Sequence, residues 1–582
     1  MGAFMKRICI FIHSRSSFDV IFAKQFDSLF LLYHLSFSLR IVAKKRKRLW
    51  ICGIVRPIKG KLQKTTLTCK EEVIMSSLPS TVEPYWRDSV SLPSFPKLDA
   101  DISVDVAVIG GGISGITTAY LLSAQGARVA LLEADRLLNG TTGHTTAKIT
   151  AQHDLVYDEF LNHFGAEKAR LYYDACMDAL QFIRRTIEEQ QIDCDFCEQD
   201  AYIYTTSSSS FQKLVKEWEA YERLGIDGAF VESIPLPLPV AAAVVMKRQA
   251  QFHPLKYLAK LVDSITQAGS AIYEHTPAAD IEQGKRMTVI TRDKKRVECD
   301  HVAVCSHFPF YDGGFYFSRM YAERSYVLGV TITEPYPGGM YLSADEPKRS
   351  IRSATAGSET LILIGGENHK TGQGVPTMRH YEALSSFASQ LFTVNDIRYR
   401  WSAQDLTTLD NVPYIGPMTA GTPNIYVATG YRKWGMTNGT VAGMLLSDLI
   451  LDRDNRYRDL YSPSRFYADP SMKQFFTTNL DVAKHLLVGK IEPVVRRPQD
   501  LAHGEGAVVS VNGKRAGAYK DEAGGLHVVD TTCTHMGCEL EWNSGDRTWD
   551  CPCHGSRFSI DGDVIEGPAK QPLARIELDD AK

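Results

Sequence analysis

Four cysteines and two histidines fall within residues 530–558, DTTCTHMGCELEWNSGDRTWDCPCHGSRF. Cys533 and His535 form one half-site, and Cys551 and His554 form the other, with fifteen residues between His535 and Cys551. Two thiolates and two imidazoles suit tetrahedral zinc, or a [2Fe–2S] cluster in which two histidines replace two cysteines on one iron. A structural disulfide knot is the third possibility. Zinc fingers usually pair cysteine with cysteine and histidine with histidine, whereas here each half-site brings one of each. Two such loops, once apposed, can carry both thiolates to one iron and both imidazoles to the other. Cys538 and Cys553 are left over, one in each loop.

A redox centre needs something to exchange electrons with, and residues 105–135 offer it: DVAVIGGGISGITTAYLLSAQGARVALLEAD. The apolar run 106–109 reads as a buried parallel strand. Gly110, Gly112 and Gly115 follow as G-x-G-x-x-G at the turn into a helix. Their roles there are a tight turn, close approach to a pyrophosphate, and close helix–strand packing. The helix N-terminus presents free N–H groups and a positive dipole end to phosphate. A second strand, 127–132, ends at Glu133, 23 residues after Gly110, where a carboxylate accepts hydrogen bonds from ribose hydroxyls. Strand, glycines, helix, strand and acid in that order point to a dinucleotide. The fingerprint occurs once, so a separate nicotinamide domain is not indicated.

The segment continues in a way that resembles the D-amino-acid-oxidase-like flavoenzymes, among them glycine oxidase and the sarcosine and dimethylglycine dehydrogenases. The resemblance recurs in QFHPLKYLAKLV (251–262), CDHVAVCSHFPF (299–310) and NIYVATGYRKWGMTNGTVAGMLLSDLI (424–450), and spans roughly residues 100–455. It implies FAD, with Gly430, Gly435, Met436 and Thr437 at a turn whose helix faces the flavin. It also implies that Thr142, His144 and Thr145 contact FAD. His144 matches the spacing of a histidine that binds flavin covalently in dimethylglycine-dehydrogenase relatives, but its neighbours differ, and a noncovalent contact is expected. The implied fold is an α/β doubly wound FAD-binding domain interleaved with an α+β substrate domain. Segments 201–204, 288–291 and 361–364 read as strands of the latter.

CTHMGC, CPCHGSRF and GPAKQPL (567–573) are similar to the Rieske family, over roughly residues 490–582. This resemblance selects the iron–sulfur reading, with Cys533, His535, Cys551 and His554 as ligands. It implies a small all-β domain and, as in cytochrome bc-type members, a Cys538–Cys553 disulfide joining the two loops. Ser556 matches the serine that donates toward cluster sulfur, and Phe558 stands where high-potential members have tyrosine. Hydrogen bonds to sulfur stabilise the added electron, so a potential below that of the respiratory members is implied.

The elements that position these groups follow. At 582 residues, with 65 basic and 68 acidic side chains, the chain holds several domains and has no charge bias toward nucleic acid. No apolar run reaches the roughly 20 residues of a membrane span. Cys176, Cys299 and Cys305 read as buried thiols, and the C-x-x-C of Cys194 and Cys197 lacks redox surroundings. Residues 1–74 are basic and patterned like no domain. Residues 70–75, KEEVIM, can be encoded by a purine-rich ribosome-binding run ahead of a bacterial start codon. Residues 1–74 are therefore expected to be a non-native or disordered extension, which the mass of the natively expressed chain would test. The expected order is 1–74 extension, 75–460 flavoenzyme, 461–489 linker with a helix docking the two halves, and 490–582 Rieske domain. The function read from this is an amine or amino-acid dehydrogenase of a bacterial cytoplasm. It would pass hydride to FAD and send single electrons through the cluster to an acceptor protein or quinone-linked carrier. Arg432, Lys433 and Trp434 could line its substrate site. A non-catalytic redox module is the alternative. A Rieske oxygenase would need two histidines four or five residues apart, and no pair is so spaced.

Overall fold

The computed structural model describes residues 36–45, 48–56, 78–374, 376–488 and 494–578. By contacts the chain divides into Met1–Lys70 and Glu71–Lys582. In the first unit, Ser36–Lys45 pairs antiparallel with Arg48–Arg56. The remainder of residues 1–74 and the Met75 start proposed from the sequence lie outside the described residues.

The second unit begins its core with Val106–Ile109, buried at all four positions as a strand covered on both faces must be. Its six-stranded sheet runs Ala271–Tyr273, Val129–Leu132, Val106–Ile109, His301–Val304, Ile425–Thr429, Tyr414–Pro417. All neighbours are parallel except the last pair. Helices Ile113–Ala124 and Gly435–Ile450 lie side by side. A Cβ on Gly439 or Gly443 would come within 2.7 Å of Ile113 or 2.5 Å of Thr117, so the close crossing requires glycine at both places. Both helices start beside the sheet's central strands, the crevice where doubly wound folds bind nucleotides.

A nine-stranded mixed sheet forms the second layer. Its long strands Met320–Ile332, Glu359–Lys370 and Val394–Thr408 carry the expected 361–364 run, and Cys197–Thr205 carries 201–204. Residues 288–291 fall in Met287–Thr291, a strand of a small separate sheet. The chain then enters helix Ala468–Val488, which includes the helical stretch expected in the linker. Val482 and Leu486 pack on the C-terminal core, and Asn479 donates to the carbonyl of Ser318 at 3.2 Å. The C-terminal segment is two small antiparallel sheets, with a turn at Asn512–Gly513 between Glu505–Val511 and Lys514–Lys520. Both turn residues have positive φ, as a tight hairpin needs. Among the described residues no helix is long and apolar enough to cross a membrane.

The two halves are docked by a buried ion cluster. The Asp546 carboxylate lies 2.5 Å from Arg324 and 3.2 Å from Arg557, and the Arg324 and Asp546 side chains are 1% and 6% exposed. Arg400 donates to the carbonyl of Gly545 at 2.9 Å, and the Thr377 hydroxyl accepts from the amide of Gly545 at 2.7 Å. Burial alone would raise the Asp546 carboxyl, but the two guanidinium groups and the Ser402 hydroxyl hold it below its ordinary value. A carboxyl lowered in the folded state contributes stability above its unfolded pKa and loses it as pH falls through the folded value. Docking should therefore weaken from about pH 3.9 downward. Asp546→Ala, which leaves the buried Arg324 guanidinium without its carboxylate, should cost about 3–5 kcal/mol. Differential calorimetry of the variant checks this, with an unchanged transition contradicting it.

Candidate functional site

The G-x-G-x-x-G turn has the geometry its residues predict. Gly110 has φ of +110°, and a Cβ on Gly115 would stand 2.0 Å from the carbonyl oxygen of Gly110, so no side chain fits between strand and helix. Gly112 caps helix Ile113–Ala124, and a Cβ there would meet the Thr142 hydroxyl at 3.0 Å. That hydroxyl accepts from the amide of Ile113 at 3.1 Å. Glu133 takes the amides of Gly111 at 2.7 Å and Asp135 at 2.9 Å, and burial raises its carboxyl. Two backbone amides thus fix a carboxylate at the end of the second strand, where ribose hydroxyls would meet it. These features form a cradle into which a dinucleotide fits.

The loop after Glu133 folds back as a short turn, Thr141–His144. His144 Nδ1 donates to the carbonyl of Gly140 at 2.9 Å, and burial pushes the imidazole down to about 4, so it is neutral at pH 7. Its own carbonyl accepts from the Trp401 indole at 2.8 Å, and that of Thr145 accepts from Trp86 at 2.7 Å. Thr145 Oγ1 accepts from the amide of Ala147. The opposite wall is the second turn. Gly430 has φ of +79°, and a Cβ there would strike Thr408 at 2.4 Å. Gly435 opens the helix, Met436 is buried, and the Thr437 hydroxyl bonds both the amide and the carbonyl of Thr150. The two turns approach the same crevice from either side.

Arg432, Lys433 and Trp434 are already engaged. Arg432 donates to the carbonyl of His153 and borders a cleft of about 470 Å³ with Asp154, Glu159, Asp345 and Lys348. Lys433 pairs with buried Asp405 at 3.2 Å. Trp434 stacks on His153, ring centres 4.8 Å apart. Cys194 is buried and Cys197 exposed, both unbridged, while Cys176, Cys299 and Cys305 are buried thiols.

At the C-terminal end, Cys538 and Cys553 are bonded to each other. Cys551 lies within 4.8 Å of both, but their sulfurs are taken, and its thiol faces Cys533 instead. The hydrogen bond with Cys551 lowers the Cys533 thiol, and the Ser556 hydroxyl adds to this. The rings of His535 and His554 stand 5.1 Å apart, edge to face, and burial pushes His554 down to about 4. His554 Nδ1 is buried without a hydrogen-bond partner. Two facing thiols beside two adjacent neutral imidazoles, one with an orphaned nitrogen, fit a [2Fe–2S] cluster with cysteine on one iron and histidine on the other. Phe558 is buried and has no hydroxyl to offer. Phe317, Gln404 and Arg324 of the flavoenzyme half contact this head, Arg324 through Asp546, and no local signal in the sequence marks them.

The FAD dependent oxidoreductase family (DAO) matches residues 105–449, and the Rieske [2Fe-2S] domain matches residues 492–577. A Bacillus subtilis (strain 168) protein, YhfW, named as a Rieske 2Fe-2S iron-sulfur protein, is 52% identical over 498 residues, 85% of this chain and 98% of its own length. Gamma-glutamylputrescine oxidoreductase of Escherichia coli (strain K12) is 24% identical over 382 residues, 62% of this chain and 87% of that one. The crystal structure of glycine oxidase from Geobacillus kaustophilus superimposes with a TM-score of 0.52 at 17% identity, covering 62% of this chain and 99% of that one.

No aromatic residue precedes His144 and Thr145 and Thr146 follow it, so FAD is expected to be held without a covalent bond. Acid precipitation of the holoprotein should leave the flavin in the supernatant and the polypeptide non-fluorescent under ultraviolet light. A fluorescent polypeptide that becomes dark in His144→Ala would contradict this.

Proposed function

Because the chain belongs to the FAD dependent oxidoreductase family and ends in a Rieske domain, we propose that it is a dehydrogenase of a small amine or amino acid that delivers electrons singly to an acceptor. The observation that carries this reading is the docking of the second ligand loop, through Gly555, onto the strands of the flavoenzyme half at Ala322 and Gln404. Bound FAD would accept two electrons from a C–H bond beside nitrogen, and a bound [2Fe–2S] cluster would release them one at a time.

The side chains divide the remaining work. The helix end at Gly112, with Thr142, would receive the pyrophosphate, and Glu133 the ribose. Cys533, His535, Cys551 and His554 would hold the cluster, with Cys538–Cys553 tying their loops. The substrate would lose a hydride equivalent from carbon and a proton from nitrogen, giving an imine that water hydrolyses. A one-electron acceptor protein or quinone-linked carrier is therefore reduced twice per substrate. Glycine oxidase and gamma-glutamylputrescine oxidoreductase, similar in fold or sequence, suggest an amino acid or a polyamine derivative as the donor.

The test is an anaerobic screen of the holoprotein against glycine, proline, other amino acids, and primary and secondary amines, including gamma-glutamylputrescine. At least one should bleach the oxidised-flavin absorbance in a single turnover. If none does while dithionite bleaches it fully, the dehydrogenase reading fails and a redox module without a substrate takes its place.

A further inference from the structure

The cluster loops do not hang free. Gly555, next to ligand His554, has φ of +75°, and a Cβ there would lie 2.4 Å from the Cβ of Ala322. Its carbonyl accepts from Gln404 Nε2 at 2.9 Å, and its amide donates to the carbonyl of Cys551 at 3.1 Å. Gln404 is 2% exposed, and its amide is oriented by Thr371, whose hydroxyl donates to Oε1 at 2.7 Å. The backbone carbonyl of the same residue accepts from the Thr141 hydroxyl at 3.3 Å. Thr141 begins the turn that carries Thr142 and His144. One residue thus touches the FAD loop with its backbone and the cluster loop with its side chain. At the other side of the head, the Phe317 ring stands edge to face on both histidines, centres 5.7 Å from His535 and 5.5 Å from His554. Phe317 follows Tyr316, which is buried and bonded to the carbonyl of Met418, so the ring is carried by a rigid support.

We propose that Gln404 and Phe317 are positioning residues that fix the cluster ligand loops against the FAD loop, so that the histidine face is turned inward and electrons cross within one chain without movement of the head. This rests on the dehydrogenase reading above, in which electrons leave through the cluster. A freely swinging head would have no use for a buried glutamine whose amide is held by Thr371 at one end and by the ligand loop at the other. The ring covering both imidazoles likewise removes the face that a mobile head would offer to an outside partner.

The experiment uses the full holoprotein and needs no substrate. A photoexcited deazaflavin with EDTA reduces FAD in a flash under anaerobic conditions, and the electron's arrival at the cluster is followed by visible absorbance. Dithionite-reduced samples give the cluster content by electron paramagnetic resonance, and hydrogen exchange reports the amides of residues 551–558. The wild type should transfer at a rate independent of protein concentration. Gln404→Met and Phe317→Leu should keep the cluster signal but slow transfer on the order of tenfold or more, as a displaced donor–acceptor pair does. Exchange at Cys551 and Gly555 should quicken, and Phe317→Trp, which keeps a ring, should restore the rate. If Gln404→Met assembles no cluster, Thr371→Val, which removes only the bond orienting the amide, reads the same rate. Loaded variants that transfer at the wild-type rate with unchanged exchange overturn the proposal, as does a wild-type rate that scales with concentration. A wild type that transfers nothing would instead overturn the electron-outlet reading itself.

Discussion

A buried carboxylate cannot stay charged alone, and Asp546 is the point where this chain commits its two halves to one another. Arg324 comes from the large mixed sheet and Arg557 from the ligand-loop sheet, and both reach the same carboxylate oxygen. Removing the carboxylate leaves Arg324 desolvated without its charge partner, which is more costly than never burying it. Arg557 also pairs with Asp550 and Glu566, so the charge network runs back under the strand that follows the second ligand loop. The head is therefore held in one orientation, and the smaller contacts at Gly555, Gly545 and helix Ala468–Val488 can act with precision because the gross docking is already decided.

That orientation gives the ligand loops their surroundings. The disulfide holds loop to loop, Gln404 holds loop to sheet, and Phe317 closes over the imidazoles. The FAD loop is braced in the same way by groups from elsewhere, through the indoles of Trp86 and Trp401 on the carbonyls of Thr145 and His144. Each cofactor site is thus a local motif pinned by distant side chains. The motif supplies the ligands, and the distant residues supply the geometry.

This division explains what could be read in advance. The strand 106–109, the G-x-G-x-x-G turn and the two cysteine–histidine half-sites depend on spacing within thirty residues, and spacing is visible in a sequence. The Cys538–Cys553 bond was legible only through family resemblance, because four cysteines in two loops allow other pairings. Arg324 and Asp546 are separated by 222 positions, and Gln404 and Gly555 by 151, with nothing local to mark them. A glutamine inside a long strand reads as an ordinary polar residue. Arg432, Lys433 and Trp434 were visible as a basic turn, but not that a carbonyl, a carboxylate and a histidine ring already occupy them.

In the dehydrogenase proposed above, the cluster would lie on the only productive path from substrate to acceptor. Replacing His554 by alanine removes an iron ligand while leaving the flavoenzyme half, with its separate core, to fold. With an amine that reduces the wild-type flavin, the variant should still bleach in a single anaerobic turnover at the wild-type rate. It should fail to turn over repeatedly with a one-electron acceptor protein that the wild type reduces. Normal multiple turnover of the cluster-free variant with that acceptor would show that the electrons leave by another route, and the account would be wrong.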